Sequence, residues 1–327
     1  MSVYHDVKEK ILTISIAAYN VEQYISKAIK SCILMSENGN CIEVIVVNDG
    51  SNDRTSQIAH SYSAQYPQIV TVIDKENGGY GSTINCSLKH AHGKYFRLLD
   101  GDDWFVTDTL EVLISELKKC EDDIVFTNSL CDYGKKKRIT KVELPIGNTI
   151  NIEAVSEKIN IQMQNITYRT SILKNNNIEI LEKCFYTDME FVIMPLPYVK
   201  TIRYLDRVLY TYRLNVPTQS VSINGIKKHY KDSQKVLYKL LVNVGLSKSP
   251  LFQYQIATFA KKVIVNFLIA DNYKNVKEDI RKIDLDILKT DKLVYQFMKN
   301  KTIWCLRKSN YKLSYIIKLV YVLVNRR

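Results

Sequence analysis

No stretch of this 327-residue chain approaches the roughly 20 consecutive apolar residues that a transmembrane helix requires, so a spanning protein is not expected. No segment repeats at a fixed period, which excludes solenoids and propellers. Residues 1–10 are polar, and the apolar run Ile11–Ala18 is short and has no basic lead, so no secretory leader is expected. The seven cysteines are odd in number, scattered, and form no Cys-x-x-Cys pair. That spacing suits neither a disulfide framework nor a zinc site, and it implies reduced thiols in a cytosolic protein. The five histidines make no motif. Acidic residues are absent from Lys301 to Arg327, where seven basic ones stand.

What is present is an ordinary globular composition, 46% hydrophobic and 24% charged, with a net charge of +12 that is unevenly placed. Residues 1–150 hold 16 basic and 20 acidic side chains; residues 151–327 hold 30 and 14. This asymmetry fits an anionic partner for the C-terminal half, or a plain lysine-rich solvated surface. No nucleic-acid motif accompanies it, so nucleic acid is not expected as a partner.

Along the first 130 residues two patterns alternate. Strands are expected at Ile11–Ala18, Ile42–Val47, Ile69–Ile73, Tyr95–Leu99 and Ile124–Thr127, and helices at Val21–Met35, Asp53–Tyr66, Thr83–His92 and Thr107–Lys119. Repeated strand–helix units imply an α/β fold with a mainly parallel sheet and helices on both faces, its ligand lying beyond the carboxyl ends of the strands. Gly134–Arg138 is expected to be a basic loop and Ile202–Tyr212 an extended run. Beyond residue 220 the chain reads as helices rich in Lys, Leu and Tyr.

Three constellations follow strand ends. Asp100-Gly101-Asp102-Asp103 sets three carboxylates on one turn, which repel unless a cation or solvent separates them. Mg²⁺ or Mn²⁺ held by Asp102 and Asp100, with water and substrate phosphate, would suit it. An exposed acidic turn capping the next helix is the alternative. Asn48-Asp49-Gly50-Ser51 could receive a nucleoside, or simply turn the chain so that Ser51 or Asp53 caps a helix. Asn77-Gly78-Gly79-Tyr80-Gly81-Ser82 could accommodate a phosphate at a helix start, although it is neither a P-loop nor Gly-x-Gly-x-x-Gly.

In that order, and with Ser15-Ile16-Ala17-Ala18-Tyr19-Asn20-Val21-Glu22 ahead of them, these segments resemble the donor half of glycosyltransferase family 2, of GT-A fold. The match is close over residues 11–130 and looser to about 222. The resemblance implies a catalytic domain over 1–220, with a donor half (1–130) and an acceptor half (131–220), followed by a helical region over 221–327. It implies an inverting transferase moving a hexose or N-acetylhexosamine from a nucleotide sugar, in particular a UDP-sugar, to a glycan acceptor. Ala18, Tyr19, Asn20, Glu22, Asp49, Gly50, Ser51, Asn77, Gly78, Asp100, Gly101 and Arg213 would bind the donor. Asp102, with Asp100, would hold the metal. In Tyr186-Thr187-Asp188-Met189-Glu190-Phe191, Asp188 matches the family's catalytic base and Glu190 is the nearby substitute, with helix capping as the alternative role for Asp188. Four positions depart from the family pattern: Ala18 for Pro, Asn48 for Asp, Thr187 for Glu, and Ile84 for a phosphate-binding Arg.

The segment Tyr311–Arg327 reads as an amphipathic helix able to lie on anionic lipid, or as a last core helix. Relatives that extend lipid-linked glycans imply capsule or exopolysaccharide synthesis, peripheral on the inner face of the cell membrane. The competing reading is a transferase-like scaffold that binds a protein partner; the retained Asp100, Asp102 and Asp188 oppose it. A dinucleotide-binding dehydrogenase lacks its glycine fingerprint. A nucleotidyltransferase would need a glycine-rich basic loop where Ala17-Ala18-Tyr19-Asn20 stands.

Overall fold

A computed structural model describes residues 9–156, 158–214, 222–270 and 275–318. The chain divides into two compact units, one within Met1–Val155, Ile161–Cys184 and Tyr198–Asn215, the other within Ser156–Asn160, Phe185–Pro197 and Val216–Arg327. No disulfide links the seven cysteines.

The first unit begins β1 (Leu12–Ala18), α1 (Ile25–Cys32), β2 (Ile42–Asp49), α2 (Thr55–Gln65), β3 (Val70–Lys75), α3 (Tyr80–His90), β4 (Tyr95–Asp100). It continues with β5 (Trp104–Phe105), α4 (Thr107–Leu117), β6 (Ile124–Asp132), β7 (Lys137–Thr140), β8 (Ile150–Asn151), β9 (Ile166–Arg169), α5 (Thr170–Asn175) and β10 (Thr201–Arg213). The main strand order is β3-β2-β1-β4-β9-β6-β10-β5. The strands β3, β2, β1 and β4 run parallel, and β1 and β4 are buried at nearly every position. Such continuous apolar runs suit strands covered on both faces. The order turns back between β1 and β4, the kind of switch point where open α/β sheets bind ligands at the carboxyl ends.

Two features depart from the pattern read in the sequence. The sheet is mixed: β9, only four residues long, enters antiparallel between β4 and β6. Of the basic segment expected as a loop, residues 134–136 are the turn of a hairpin, whose second arm Lys137–Thr140 pairs antiparallel with Ser129–Asp132. Lys137 and Arg138 suit this edge strand, whose residues are mostly exposed, because charge there discourages pairing with another chain.

Beneath the β4 end lies an unusual core residue. Arg97 is fully buried, and its guanidinium donates to Thr167 Oγ1 (2.7 Å), Thr127 Oγ1 (3.1 Å) and the Gln164 carbonyl (2.5 Å). One side chain thereby ties β4 to β6, β9 and the short turn before β9. Burial pushes its pKa down to about 9.

The second unit is helical: α6 (Asp188–Ile193), α7 (Ile223–Val242), α8 (Pro250–Ile269), α9 (Val276–Thr290), α10 (Lys292–Phe297) and α11 (Lys301–Lys308). The start of α7 is capped by Ser222, whose side chain accepts from Gly225 N. Most of α8 is buried, and α6 packs against it and α7. Among the described residues no helix is long and apolar enough to cross a membrane. Of the segment read as an amphipathic helix, residues 319–327 lie outside the described residues.

Candidate functional site

The ends of β1 and β2 are sewn together by short polar bonds. Asn20, at φ +52°, donates its N–H to Ser51 Oγ (3.0 Å) and accepts from Asn52 N–H on its side-chain carbonyl (2.9 Å). Glu22 accepts from Arg54 N–H (3.0 Å), and its own N–H donates to Asp53 (3.1 Å). Asp53 also accepts from Thr55 N–H at 2.9 Å, so it steadies the start of α2. These bonds account for Asn20, Glu22 and Ser51 in structural terms. Ala18 is buried beside them, whereas the Tyr19 side chain stands outward, 49% exposed, over the strand ends.

Asp49 is turned inward. Its carboxylate accepts from Gly78 N–H (2.9 Å), Gly79 N–H (2.8 Å), Lys75 Nζ (2.8 Å) and Ser82 Oγ (3.3 Å). Asn77 Nδ2 donates to the Asp49 carbonyl at 2.9 Å. The loop read as a phosphate cradle therefore wraps one of the protein's own carboxylates, ahead of α3. Gly79 makes the wrap possible, since its φ of +81° favours glycine. Asp49, Asn77, Gly78 and Gly50 thus form a clasp in this structure, where the sequence suggested direct donor contacts. Ile84, at the position of the family's arginine, is buried.

The turn after β4 is pinned from two sides. Gly101 donates to the Ala17 carbonyl (3.0 Å), and a Cβ on it would meet that oxygen at 2.8 Å, so only glycine packs this closely against β1. From the other side, β10 reaches over. Tyr210 OH donates to Asp103 Oδ2 (2.6 Å) and accepts from Asp100 N–H (3.2 Å), while Arg213 N–H donates to Asp103 Oδ1 (2.8 Å). Burial, with Asp100 and Asp102 beside it, pushes the Asp103 carboxyl up to about 9. Asp103 is thus the anchor of the turn, which leaves Asp100 and Asp102 as the carboxylates presented for chemistry.

Asp102 meets a guanidinium. Arg213 Nη2 donates to Asp102 Oδ2 at 2.7 Å, its Nε donates to the Asp102 carbonyl at 3.2 Å, and it lies over the Tyr24 ring at 3.8 Å. Among the described residues no three His, Cys, Asp or Glu side chains converge as a cation cage. A cation at Asp102 and Asp100 would need water and phosphate to complete its shell. Arg213 would have to release one Asp102 oxygen for such a cation to enter.

In the helical unit, Asp188 is the first residue of α6 and partly exposed, after Tyr186 at φ +67°. Glu190 differs sharply. Its side chain is fully buried, and Oε2 accepts from Lys239 Nζ on α7 at 2.8 Å. A base must reach an acceptor hydroxyl, so Glu190 is corrected here from a candidate base to a structural ion-pair partner. Removing it takes a buried carboxylate partner from Lys239, whose side chain is 25% exposed. Glu190→Ala is expected to cost about 3 kcal/mol, the lower end for a broken buried pair, because Lys239 keeps partial contact with water. Urea unfolding measures this; an unchanged midpoint would remove the structural role.

The sequence pattern does not mark Tyr24, Lys75 or Arg97 for the site. Only Arg97 carried a signal, a lone cation inside the apolar run Tyr95–Leu99. The others are defined by partners far along the chain.

The sequence pattern of glycosyl transferase family 2 matches residues 13–185. Among relatives, the uncharacterized glycosyltransferase EpsJ of Bacillus subtilis is 25% identical over 289 residues, which cover 84% of this chain and 83% of that protein. Chondroitin synthase of Pasteurella multocida is 26% identical over 290 residues, 87% of this chain but 28% of the synthase. Among solved structures, S. aureus TarS 1–349 in complex with UDP-GlcNAc superposes with a TM-score of 0.65 at 19% identity, covering 94% of this chain and 89% of the TarS chain. The sheet with its flanking helices is thus of the GT-A kind, followed by helices.

Proposed function

This chain belongs to glycosyl transferase family 2 and is a glycosyltransferase, and from that premise we propose its reaction: inverting transfer of a hexose or N-acetylhexosamine from a UDP-sugar to a hydroxyl of a lipid-linked glycan. The setting would be synthesis of a cell-surface polysaccharide, capsule or exopolysaccharide, peripherally at the inner face of the cell membrane. Chondroitin synthase among the relatives and UDP-GlcNAc bound to TarS support the polysaccharide and UDP-sugar parts.

The observation that carries this reading is the Asp100–Asp103 turn. It lies at the end of β4, where the strand order reverses, and Gly101 and β10 hold it rigidly. Asp102 and Asp100 would hold Mg²⁺ or Mn²⁺, which when bound neutralises charge on the departing diphosphate. Arg213, moved off Asp102, would meet the same phosphates. Tyr19, exposed over the ends of β1 and β2, offers a ring for the nucleoside. Asp188 would accept the proton of the acceptor hydroxyl as that oxygen attacks the anomeric carbon. The bond from this carbon to the diphosphate oxygen breaks on the opposite face, and its electron pair leaves with the nucleotide. A single displacement of this kind inverts the anomeric centre.

The experiment is a panel of nucleotide sugars tested by calorimetry and by hydrolysis, with Mn²⁺, with Mg²⁺ and with chelator. One UDP-sugar is expected to bind and turn over, and only with metal. Failure of every donor under every metal condition would discard the reaction in favour of a partner-binding scaffold.

A further inference from the structure

The reaction makes no use of the surface formed by α11 and the residues after it. Trp304 is 62% exposed, Leu313 39% and Ile316 55%. Lys301, Lys308 and Lys312 are exposed among them. The spacing 301, 304, 308 puts Lys301, Trp304 and Lys308 on one side of α11, while Ile303 and Leu306 are buried on the other. From Lys299 to Lys318 there are six basic residues and no acidic one.

The inner side of the segment is firmly fastened. Arg307 donates to both carboxylate oxygens of the buried Asp284, at 2.9 and 2.8 Å, and Tyr311 OH donates to the same carboxylate. The guanidinium also lies over the Tyr295 ring, 3.5 Å from its centre. The cation that could satisfy an acid has thus been used inward, on α9. What faces out combines an indole, branched aliphatics and ammonium groups. Exposed apolar groups cost free energy in water, and lysines alone would not need them.

An acidic protein or a polyanion would explain the lysines and leave Leu313 and Ile316 without a purpose. A bilayer explains both, because acyl chains begin a few ångströms below the lipid phosphates. We propose that this surface docks on an anionic lipid bilayer. Trp304, Leu313 and Ile316 enter the boundary between headgroups and acyl chains, and Lys301, Lys308 and Lys312 meet lipid phosphates. The inference deepens the membrane-associated reading given above and rests on it only for the location of the acceptor.

The test uses the whole chain with vesicles of phosphatidylcholine, alone or mixed with phosphatidylglycerol. There are two tryptophans, so Trp104→Phe leaves Trp304 as the sole indole reporter. The protein is expected to sediment with the anionic vesicles only, and less so in high salt. Trp304 emission is expected to shift to the blue and to be quenched by brominated lipid. Lys301→Gln with Lys308→Gln, which removes two charges, is expected to weaken binding roughly thirtyfold, from the contribution of each lysine near an anionic surface. Trp304→Ala is expected to weaken binding to the anionic vesicles at low and at high salt alike, with circular dichroism unchanged. Absence of sedimentation, or sedimentation with Trp304 emission unmoved, overturns the proposal. So does a Trp304→Ala variant that converts a dimer to a monomer, since a second copy would then be the occupant. Nucleotide-sugar hydrolysis by the unsubstituted protein separates the two levels: hydrolysis without vesicle binding defeats the docking surface alone.

Discussion

Asp188→Asn is expected to bind nucleotide sugar as the wild type does and to transfer it about 10³-fold more slowly, the range of a lost general base. The asparagine keeps the size and the hydrogen-bonding carbonyl of the side chain but cannot accept the proton of the acceptor hydroxyl. The structure favours Asp188 over its neighbour for this role. Asp188 opens α6 and is partly exposed, whereas Glu190 is buried against Lys239. The measurement separates kcat for transfer from the dissociation constant for donor. A variant that loses donor affinity and rate together would point to a structural role for Asp188, as a start signal for α6.

Asp102→Ala is expected to have an effect of similar size on a different quantity. Its removal should abolish metal-dependent donor binding and lower kcat/KM by roughly 10³-fold, equivalent to several kcal/mol of charge stabilisation at the leaving group. The pairing of Asp102 with Arg213 at 2.7 Å supplies an internal control. If Arg213 competes with the cation for this carboxylate, Arg213→Ala should bind Mn²⁺ more tightly than wild type without donor, read by electron paramagnetic resonance. The same variant should bind the UDP-sugar more weakly once metal is present. Mn²⁺ affinity that is unmoved by both substitutions would place the cation elsewhere.

Of the four parallel strands, β1, β2 and β4 were legible because each is an apolar run buried on both faces, whereas β3, mostly half-exposed, was legible from its β-branched residues ahead of Asn77-Gly78-Gly79. Asp102 was legible because its turn follows such a strand directly. By contrast, β9 is four residues long and is stabilised by neighbours from β4 and β6, so no local pattern announces it. Glu190 looked available in the sequence, and what removes it is Lys239, 49 residues further on. Asp49 is a third case. A carboxylate on a strand-end turn suggests a ligand, yet Lys75, Ser82 and two loop amides converge on it. Long-range partners decide whether a polar side chain serves the fold or the substrate, and periodicity carries no record of them.

The late arrival of β9 and β10 also governs how the chain is made. On the ribosome, β4 emerges with one edge satisfied by β1, and the other waits for Ile166–Arg169. The strand β6 waits longer, because its parallel partner ends at Arg213. Between Asp132 and Ile166, about 34 residues of synthesis, β4 and β6 both have apolar edges with unpaired backbone groups, the state most open to pairing with other nascent chains. The stretch that carries Asp100 and Asp102 therefore cannot mature as a piece by itself. Its Asp100–Asp103 turn takes final shape only when Tyr210 and Arg213 leave the exit tunnel and close over Asp103, among the last events of folding for this unit.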